Sequence, residues 1–195
     1  MHPFRLSVSG VVIAMVSTLA LGACGGADSE VEDPEPTTPA TTLPDGTTTP
    51  GTELSVGDTA TVRLSGTKKR SSRVKLTVTA LKKGKISALD DFKLDAKTKK
   101  STPYYVRARL RNVGDGDLSG QALTLYGLVS KNLLVPPVEF GSSFGPCPGG
   151  VLPATFTRSK QASVCLVMLA PKRGTITSVE FRSADNADPI SWSKS

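Results

Sequence analysis

The sequence predicts an all-β fold, in which an antiparallel β-sandwich over residues 54–195 follows a signal peptide and a disordered tether. Three observations carry this prediction. Apolar and polar residues alternate over short runs, turn-forming glycine, asparagine and aspartate residues separate these runs, and no convincing amphipathic helix of three turns is found. Alternation with period two is typical of half-buried strands. About seven to nine short strands in one domain of this size favour a β-sandwich.

Residues 1–23 have the organisation of a lipoprotein signal peptide. Met1–Arg5 carry the amino terminus and one arginine, and an apolar stretch follows over Val11–Leu21. The stretch suits a signal peptide and is shorter than the roughly 20 residues of a transmembrane helix. Leu21-Gly22-Ala23-Cys24 resembles the bacterial lipobox, in which cleavage precedes a cysteine that receives the lipid. We expect a palmitate-bearing diacylglycerol on Cys24 at the extracytoplasmic face of the cell membrane, because an ordinary secretory signal would leave an odd thiol there.

Residues 24–53 form the predicted tether, which begins with the lipidated Cys24. It is rich in threonine, proline and acidic residues and contains no lysine or arginine, a composition that stays disordered because it offers little apolar surface for burial. Seven of the 17 acidic residues lie in it, whereas 23 of the 24 basic residues lie in 54–195. The formal net charge is therefore near −7 for the tether and near +13 for the domain. Such a domain attracts anionic headgroups or wall polymers, at about 1 kcal/mol per well-placed cation, or binds its own tether.

The strands of the domain are assigned in order from the alternation. The apolar residues of 60–64 share one parity, and those of 74–80 repeat the pattern with Lys75 on the opposite side. Ile86–Leu94 is expected to form one turn or a short helix. Later strands are predicted at Leu123–Val129, Leu133–Val135, Ala154–Thr157, Ser163–Leu169, Ile176–Arg182 and Ile190–Ser193.

The clearest alternation lies in Tyr104–Asn112, where apolar residues face inward and Arg107, Arg109 and Arg111 line the other side. This is the pattern of a half-buried antiparallel strand. Three arginines on one face of a strand repel each other unless something anionic covers them. The tether's carboxylates, the acids of a neighbouring strand and an external polyanion are the alternatives. The three arginines are therefore a candidate anion-binding face.

Cys147 and Cys165 are the thiols that remain once Cys24 is lipidated. In an oxidising compartment they are expected to form a disulfide, which contributes about 3 kcal/mol for a loop of this length. The bridge would attach the glycine- and proline-rich loop Gly141–Pro153 to the strand that carries Cys165. A redox or zinc role is disfavoured, since the spacing is neither CxxC nor a zinc pattern.

Several short segments of the domain carry a family resemblance. They are Leu54–Asp58, Tyr105–Gly114, Cys165–Pro171, Val179–Phe181 and Ser191-Trp192. In order and spacing they resemble the immunoglobulin-like domain of unknown function of bacterial surface lipoproteins, the type related in fold to a secreted mycobacterial antigen. Arg158–Gln161 departs from that family, which often has a proline-glycine turn at this place. The resemblance implies an immunoglobulin-like β-sandwich that acts as a binding or structural module, and it supplies no catalytic residues.

The only histidine, His2, lies in the predicted signal peptide. Its loss on cleavage excludes Ser-His-Asp and Cys-His nucleophiles and histidine-ligated metal sites. A hydrolase that uses carboxylates alone stays open, although solvated turn residues are the simpler interpretation of the domain's acids. The candidates among them are Asp90, Asp91, Asp95, Asp115, Asp117, Glu139, Glu180, Asp185 and Asp188. Asp115-Gly116-Asp117 lacks the further oxygen ligands of a calcium loop, and we expect no metal and no cofactor.

Further basic clusters fall mainly in predicted loops, where a solubilising surface is the simpler interpretation of each. They are Lys68, Lys69, Arg70 and Arg73; Lys82, Lys83 and Lys85; and Lys97, Lys99 and Lys100. Nucleic acid is an unsuitable partner for an exported domain that has few aromatic residues for base stacking.

Two functions from different classes follow. The first is a non-enzymatic, membrane-anchored, immunoglobulin-like module that binds an anionic envelope polymer or a protein partner through Arg107, Arg109 and Arg111. The second is an envelope-polymer hydrolase that uses carboxylates only. The sequence does not distinguish the first function from a purely structural role, as a spacer or as an accessory subunit of a transporter or synthase.

Overall fold

The computed structural model describes residues 41–66, 70–130, 133–142, 144–185 and 187–194. The predicted signal peptide, Cys24 and residues 25–40 lie outside these ranges, as do Lys68 and Lys69. The described strands are β1 (Glu53–Ser55), β2 (Thr59–Ser65), β3 (Ser71–Lys83), β4 (Thr102–Asn112), β5 (Tyr126–Ser130), β6 (Leu133–Val135), β7 (Gln161–Ala170), β8 (Ser178–Phe181) and β9 (Ile190–Ser193). Short 3₁₀ turns lie at Ile86–Leu89, Thr98–Lys100 and Pro171–Arg173. No helix in the described ranges is long and apolar enough to cross a membrane.

The strands form two sheets, which confirms the predicted β-sandwich. One sheet has the order β1-β9-β8-β5-β6 and the other β2-β3-β4-β7. The strand pairs are antiparallel except that β1 runs parallel to β9, with Glu53 opposite Ser191. β1 was not predicted as a strand, because three residues are too few for alternation to be visible.

The core lies between the two sheets and is built by the alternation that the sequence displays. In β4, Tyr104, Val106, Ala108 and Leu110 are buried, and the residues between Val106 and Asn112 on the other parity are exposed. Trp192 is fully buried, and its Nε1 donates to the Asp58 carbonyl over 3.1 Å. Removing this apolar surface from water is the main stabilisation of such a sandwich.

Two predicted strands differ from the structure. Ala154–Thr157 forms no strand, because the Phe156 carbonyl accepts hydrogen bonds from the Leu118 backbone N–H and from Asn112 Nδ2 instead of pairing with a neighbouring strand. β5 begins only at Tyr126, three residues after the predicted start at Leu123. Phe156, Leu123 and Leu125 are buried, but from irregular backbone, which alternation alone does not separate from a strand.

The chain packs against the domain earlier than the predicted boundary at residue 54. Residues 41–52, here called the N-terminal segment, fall in the predicted disordered tether. The Thr48 backbone N–H donates to the Thr61 carbonyl over 2.7 Å, the Thr61 N–H donates to Thr48 Oγ1 over 2.9 Å, and the Thr47 and Thr48 side chains are buried. The segment covers part of the edge of β2, which is the outermost of the described strands in its sheet. Exposed strand edges are commonly covered in this way.

A second apolar cluster lies on the outer side of the four-stranded sheet. Its buried members are Leu89, Phe144, Cys147, Cys165 and Val167. Cys147 and Cys165 form the predicted disulfide, which holds the loop before β7 against the outer side of that strand. We call this group the outer apolar cluster. It covers one part of the outer side and leaves the part that carries the arginines exposed.

Candidate functional site

The exposed part of the four-stranded sheet presents cations and hydroxyl groups in register. One row across the sheet pairs Thr61 with Lys75, Lys75 with Arg111 and Arg111 with Gln161. The next row pairs Thr77 with Arg109 and Arg109 with Ser163. Arg107, Arg109 and Arg111 are all exposed, as the sequence predicts. We call the surface formed by Lys75, Arg107, Arg109 and Arg111 the basic face.

The basic face contains cations without acidic partners. Arg107 Nη2 donates to the Pro146 carbonyl over 3.3 Å, which ties this arginine to the loop that the disulfide holds. Within the described ranges, no ion pair or side-chain hydrogen bond involves Arg109, Arg111 or Lys75. The rows named above contain no carboxylate. The predicted alternative in which acids of a neighbouring strand cover the arginines therefore finds no support in these rows.

The spacing of the basic face makes the mutual repulsion of its cations substantial. Strands that pair lie about 4.8 Å apart, and side chains on one face of a strand repeat every 6.5 to 7 Å or so. These separations are within the Debye length of about 8 Å at physiological ionic strength. Lys75, Arg109 and Arg111 therefore repel one another across rows and along the strand, and a bound polyanion would remove that repulsion.

An acid of the N-terminal segment lies beside two cations at the margin of this surface. Arg63 and Arg73 stand opposite each other on β2 and β3. Asp45 Oδ2 pairs with Arg63 Nη2 at 3.3 Å, and the Asp45 carbonyl accepts from Arg73 Nη1 at 2.5 Å. Hydrogen bonds from the Thr47 side chain and backbone, with a smaller contribution from Arg63, hold the pKa of Asp45 below its ordinary value. Asp45, a tether acid near this surface, thus binds Arg63 and not the predicted Arg107, Arg109 and Arg111.

Described carboxylates line two concavities of the structure. A concavity of about 480 Å³ between the loop of residues 136–151 and β7 contains one carboxylate, that of Glu139. A smaller one of about 180 Å³ is lined by Asp45, Asp185 and Asp188. Hydrogen bonding, chiefly from the side chains of Thr47 and Ser183, lowers the pKa of Asp45 and Asp185. A general acid in glycoside hydrolysis needs a raised pKa instead.

The other predicted acids differ in role: Asp95 and Asp117 cap turns, whereas Glu180 is not the predicted solvated turn residue, because it is buried in β8 and pairs with Arg182 Nη2 at 2.8 Å. Asp117 Oδ1 accepts from the Ser119 backbone N–H over 2.8 Å, and Asp115 pairs with Arg158. Among the described residues, no group of three acids or cysteines lies close enough together to hold a metal ion. The absence of a metal and of a cofactor stays a prediction.

Sequence reasoning missed part of the site. It placed Lys75 on the polar side of its strand but did not connect it with Arg111, since register between strands is not visible in one strand's alternation. The contact of Asp45 with Arg63 was missed because the segment around it has the composition of a linker. The turn sequence Asp45-Gly46-Thr47 was the available signal, since aspartate accepts from the backbone N–H two residues on in turns of this kind.

The fold and this surface define a β-sandwich with a basic sheet face. No protein-family model and no curated protein matches the chain. Among solved structures, the chain is similar to MPT63, a secreted protein from Mycobacterium tuberculosis, with a TM-score of 0.47 and 10% sequence identity. The match covers 72% of this chain and 95% of that chain.

Proposed function

We propose that this chain is a non-catalytic, immunoglobulin-like binding module that is anchored through a lipid on Cys24 at the extracytoplasmic face of the cell membrane. Its basic face binds an anionic component of the envelope. The single observation that carries this proposal is the position of Lys75, Arg109 and Arg111, which stand in register without an acidic partner among the described residues.

The intramolecular contact between Asp45 and Arg63 also supports the proposal. At the margin of the basic face, one carboxylate already pairs with an exposed arginine. Arginine suits such a role because its guanidinium group offers several donors in a fixed geometry to carboxylate or phosphate oxygens. The disulfide between Cys147 and Cys165 supports an extracytoplasmic location, since such bridges persist in oxidising compartments.

The proposal is tested with Arg109→Gln/Arg111→Gln in the full chain, with Cys24→Ser in every sample so that no lipid contributes. Retention is measured at low salt on vesicles of phosphatidylcholine with and without phosphatidylglycerol, and on purified anionic wall polymer. The excess on the anionic surface is the signal. Two cations at about 1 kcal/mol each predict that the excess affinity falls about thirtyfold.

A matched control is Lys93→Gln/Lys194→Gln, which removes the same charge from two exposed lysines that form no ion pair among the described residues and lie outside the strands of the basic face. We expect it to retain most of the binding. Equal loss in both double variants would mean that only net charge matters, and unchanged binding of the arginine variant would remove the basic face from the proposal. Crosslinking in intact cells then tests the remaining alternative, a protein partner at the same surface.

A further inference from the structure

A second basic surface lies at the other end of the four-stranded sheet. It is a concave site of about 660 Å³, and Ala96, Lys97, Lys100, Pro171, Lys172 and Arg173 line it. We call it the cationic cavity. The sequence singled out Lys97 and Lys100 only as a solubilising cluster and did not single out Lys172 and Arg173 at all, because the two halves are more than 70 residues apart.

Two rigid strands bring these halves together. Thr102 at the start of β4 pairs with Ala170 at the end of β7. The turn Thr98–Lys100 leads into β4, the turn Pro171–Arg173 follows β7 directly, and the two turns contact each other. The cavity is therefore built on the ends of two hydrogen-bonded neighbours, so that its walls are positioned before any ligand arrives.

The charge in the cavity is unbalanced. None of its four cations forms an ion pair within the described part of the chain, and no carboxylate lines it. The nearby Asp95 is occupied elsewhere, since its Oδ1 accepts from the backbone N–H groups of Lys97 and Thr98 and its Oδ2 from Thr98 Oγ1 at 2.7 to 2.9 Å. Asp90 and Asp91 line a different concavity with Lys93 and Lys99.

The backbone at the cavity is held in an unfavourable conformation. Lys172 and Arg173 have φ angles of 54° and 56°, in the left-handed region that side chains with a Cβ disfavour. Gly174 follows directly and would adopt that region at no steric cost, yet its φ is −62°. The strain thus falls on the two charged residues that line the cavity. Strain of this kind is concentrated where a ligand or a switch requires a fixed geometry.

We propose that the cationic cavity binds a ligand that carries two or more phosphate groups. Four cations from two segments exceed what one monovalent anion neutralises, and the volume is in the range of small-ligand sites. Arg173 suits paired phosphate oxygens, and the three lysines act as compact positive charges around it. The site stands apart from the basic face, since Arg111 and Thr102 are at opposite ends of β4, about 30 Å apart along the strand.

The test is titration of the full chain in neutral detergent micelles with tripolyphosphate, followed by calorimetry and by backbone amide NMR shifts. We expect saturable binding with shifts at residues 96–101 and 171–174. Lys172→Gln/Arg173→Gln should weaken it by about tenfold or more. Lys172→Gly/Arg173→Gly removes the same charges while it relieves the left-handed strain, so its loss of binding is not attributable to misfolding.

Lys85→Gln/Lys99→Gln is the matched control, because both lysines are exposed at the same end of the sheet and neither lines the cavity. Equal weakening in this control, or binding that does not saturate, overturns the proposal. Arg109→Gln/Arg111→Gln should leave the shifts at 96–101 and 171–174 unchanged. Loss of binding at the basic face and loss of binding at the cationic cavity are therefore distinguishable results. Retention of Lys172→Gln/Arg173→Gln on vesicles of phosphatidylcholine with cardiolipin, whose headgroup carries two phosphates, taken as the excess over phosphatidylcholine alone and compared with Lys85→Gln/Lys99→Gln, identifies the source of the phosphate. A loss there indicates a lipid headgroup, and no change indicates a soluble or polymer phosphate.

Discussion

At the scale of single residues, Asp45 has the most informative position. It caps its own turn, because its Oδ1 accepts from the Thr47 backbone N–H over 2.9 Å, and it pairs with Arg63 through its other oxygen. The carboxylate thereby neutralises one cation at the margin of the basic face. An external polyanion that approached Arg63 and Arg73 would compete with Asp45 for them.

We predict that Asp45→Asn strengthens retention on anionic vesicles. The asparagine oxygen can still accept from Thr47, but the negative charge next to Arg63 is gone, so the excess affinity should rise by up to about fivefold. Asp117→Asn is the control, since Asp117 caps Ser119 in the same way in a turn outside the basic face. Retention that stays equal or falls in Asp45→Asn would contradict competition between Asp45 and the ligand.

At the scale of elements, the disulfide joins β7 to the loop that carries Phe140 and Phe144. Phe92, Phe140 and Phe144 lie with ring centroids 4.2 to 5.8 Å apart, and Tyr105 stacks on Phe144 at 6.0 Å. The loop also supplies the Pro146 carbonyl to Arg107. The bridge therefore stabilises the outer apolar cluster and fixes one end of the basic face.

We predict that Cys147→Ser/Cys165→Ser unfolds at a lower urea concentration, with a loss of about 3 kcal/mol for a bridge that spans 18 residues. Hydrogen exchange should rise first in the loop of residues 136–148, because the main core between the sheets does not include the bridge. Uniform acceleration across β2, β3 and β4 would instead show that the loop and the core unfold together.

At the scale of the whole molecule, exposed aspartates stabilise turns in several places. The pKa values of Asp45, Asp95, Asp117 and Asp185 lie below the ordinary 3.8, because serine and threonine side chains and backbone N–H groups donate to these carboxylates. The unfolded chain binds protons at these groups before the folded chain does. Their contribution to stability is therefore complete above about pH 5, where the unfolded carboxylates are ionised as well, and it is lost as the pH falls through 3.8 towards the lower folded values.

We predict that the urea midpoint of the chain is constant from about pH 7 to pH 5 and falls below about pH 4. A variant with asparagine at all four positions should show a smaller fall over the same interval, since its side chains do not titrate. Circular dichroism across the pH series measures both midpoints. An identical fall in the two proteins would assign the acid sensitivity to other groups.

The features that the sequence predicted well are local or compositional. The side of β4 on which Arg107, Arg109 and Arg111 lie follows from period-two alternation, and the structure places them on the exposed side as expected. The pairing of Cys147 with Cys165 follows from the number of thiols and is confirmed. Lipidation at Cys24 and the signal peptide rest on residues outside the described ranges and stay predictions.

Alternation fixes which side of a strand is buried, because successive side chains point to opposite faces, and it therefore determined the β-sandwich and the exposure of the arginines from sequence alone. It carries no information on which strand lies next to which, or in what register. The row of Lys75 and Arg111, the contact of Asp45 with Arg63, and the meeting of Lys100 with Lys172 were decided only by the tertiary structure. Each depends on hydrogen bonds and packing between segments that are distant in the chain, and no local pattern records these contacts.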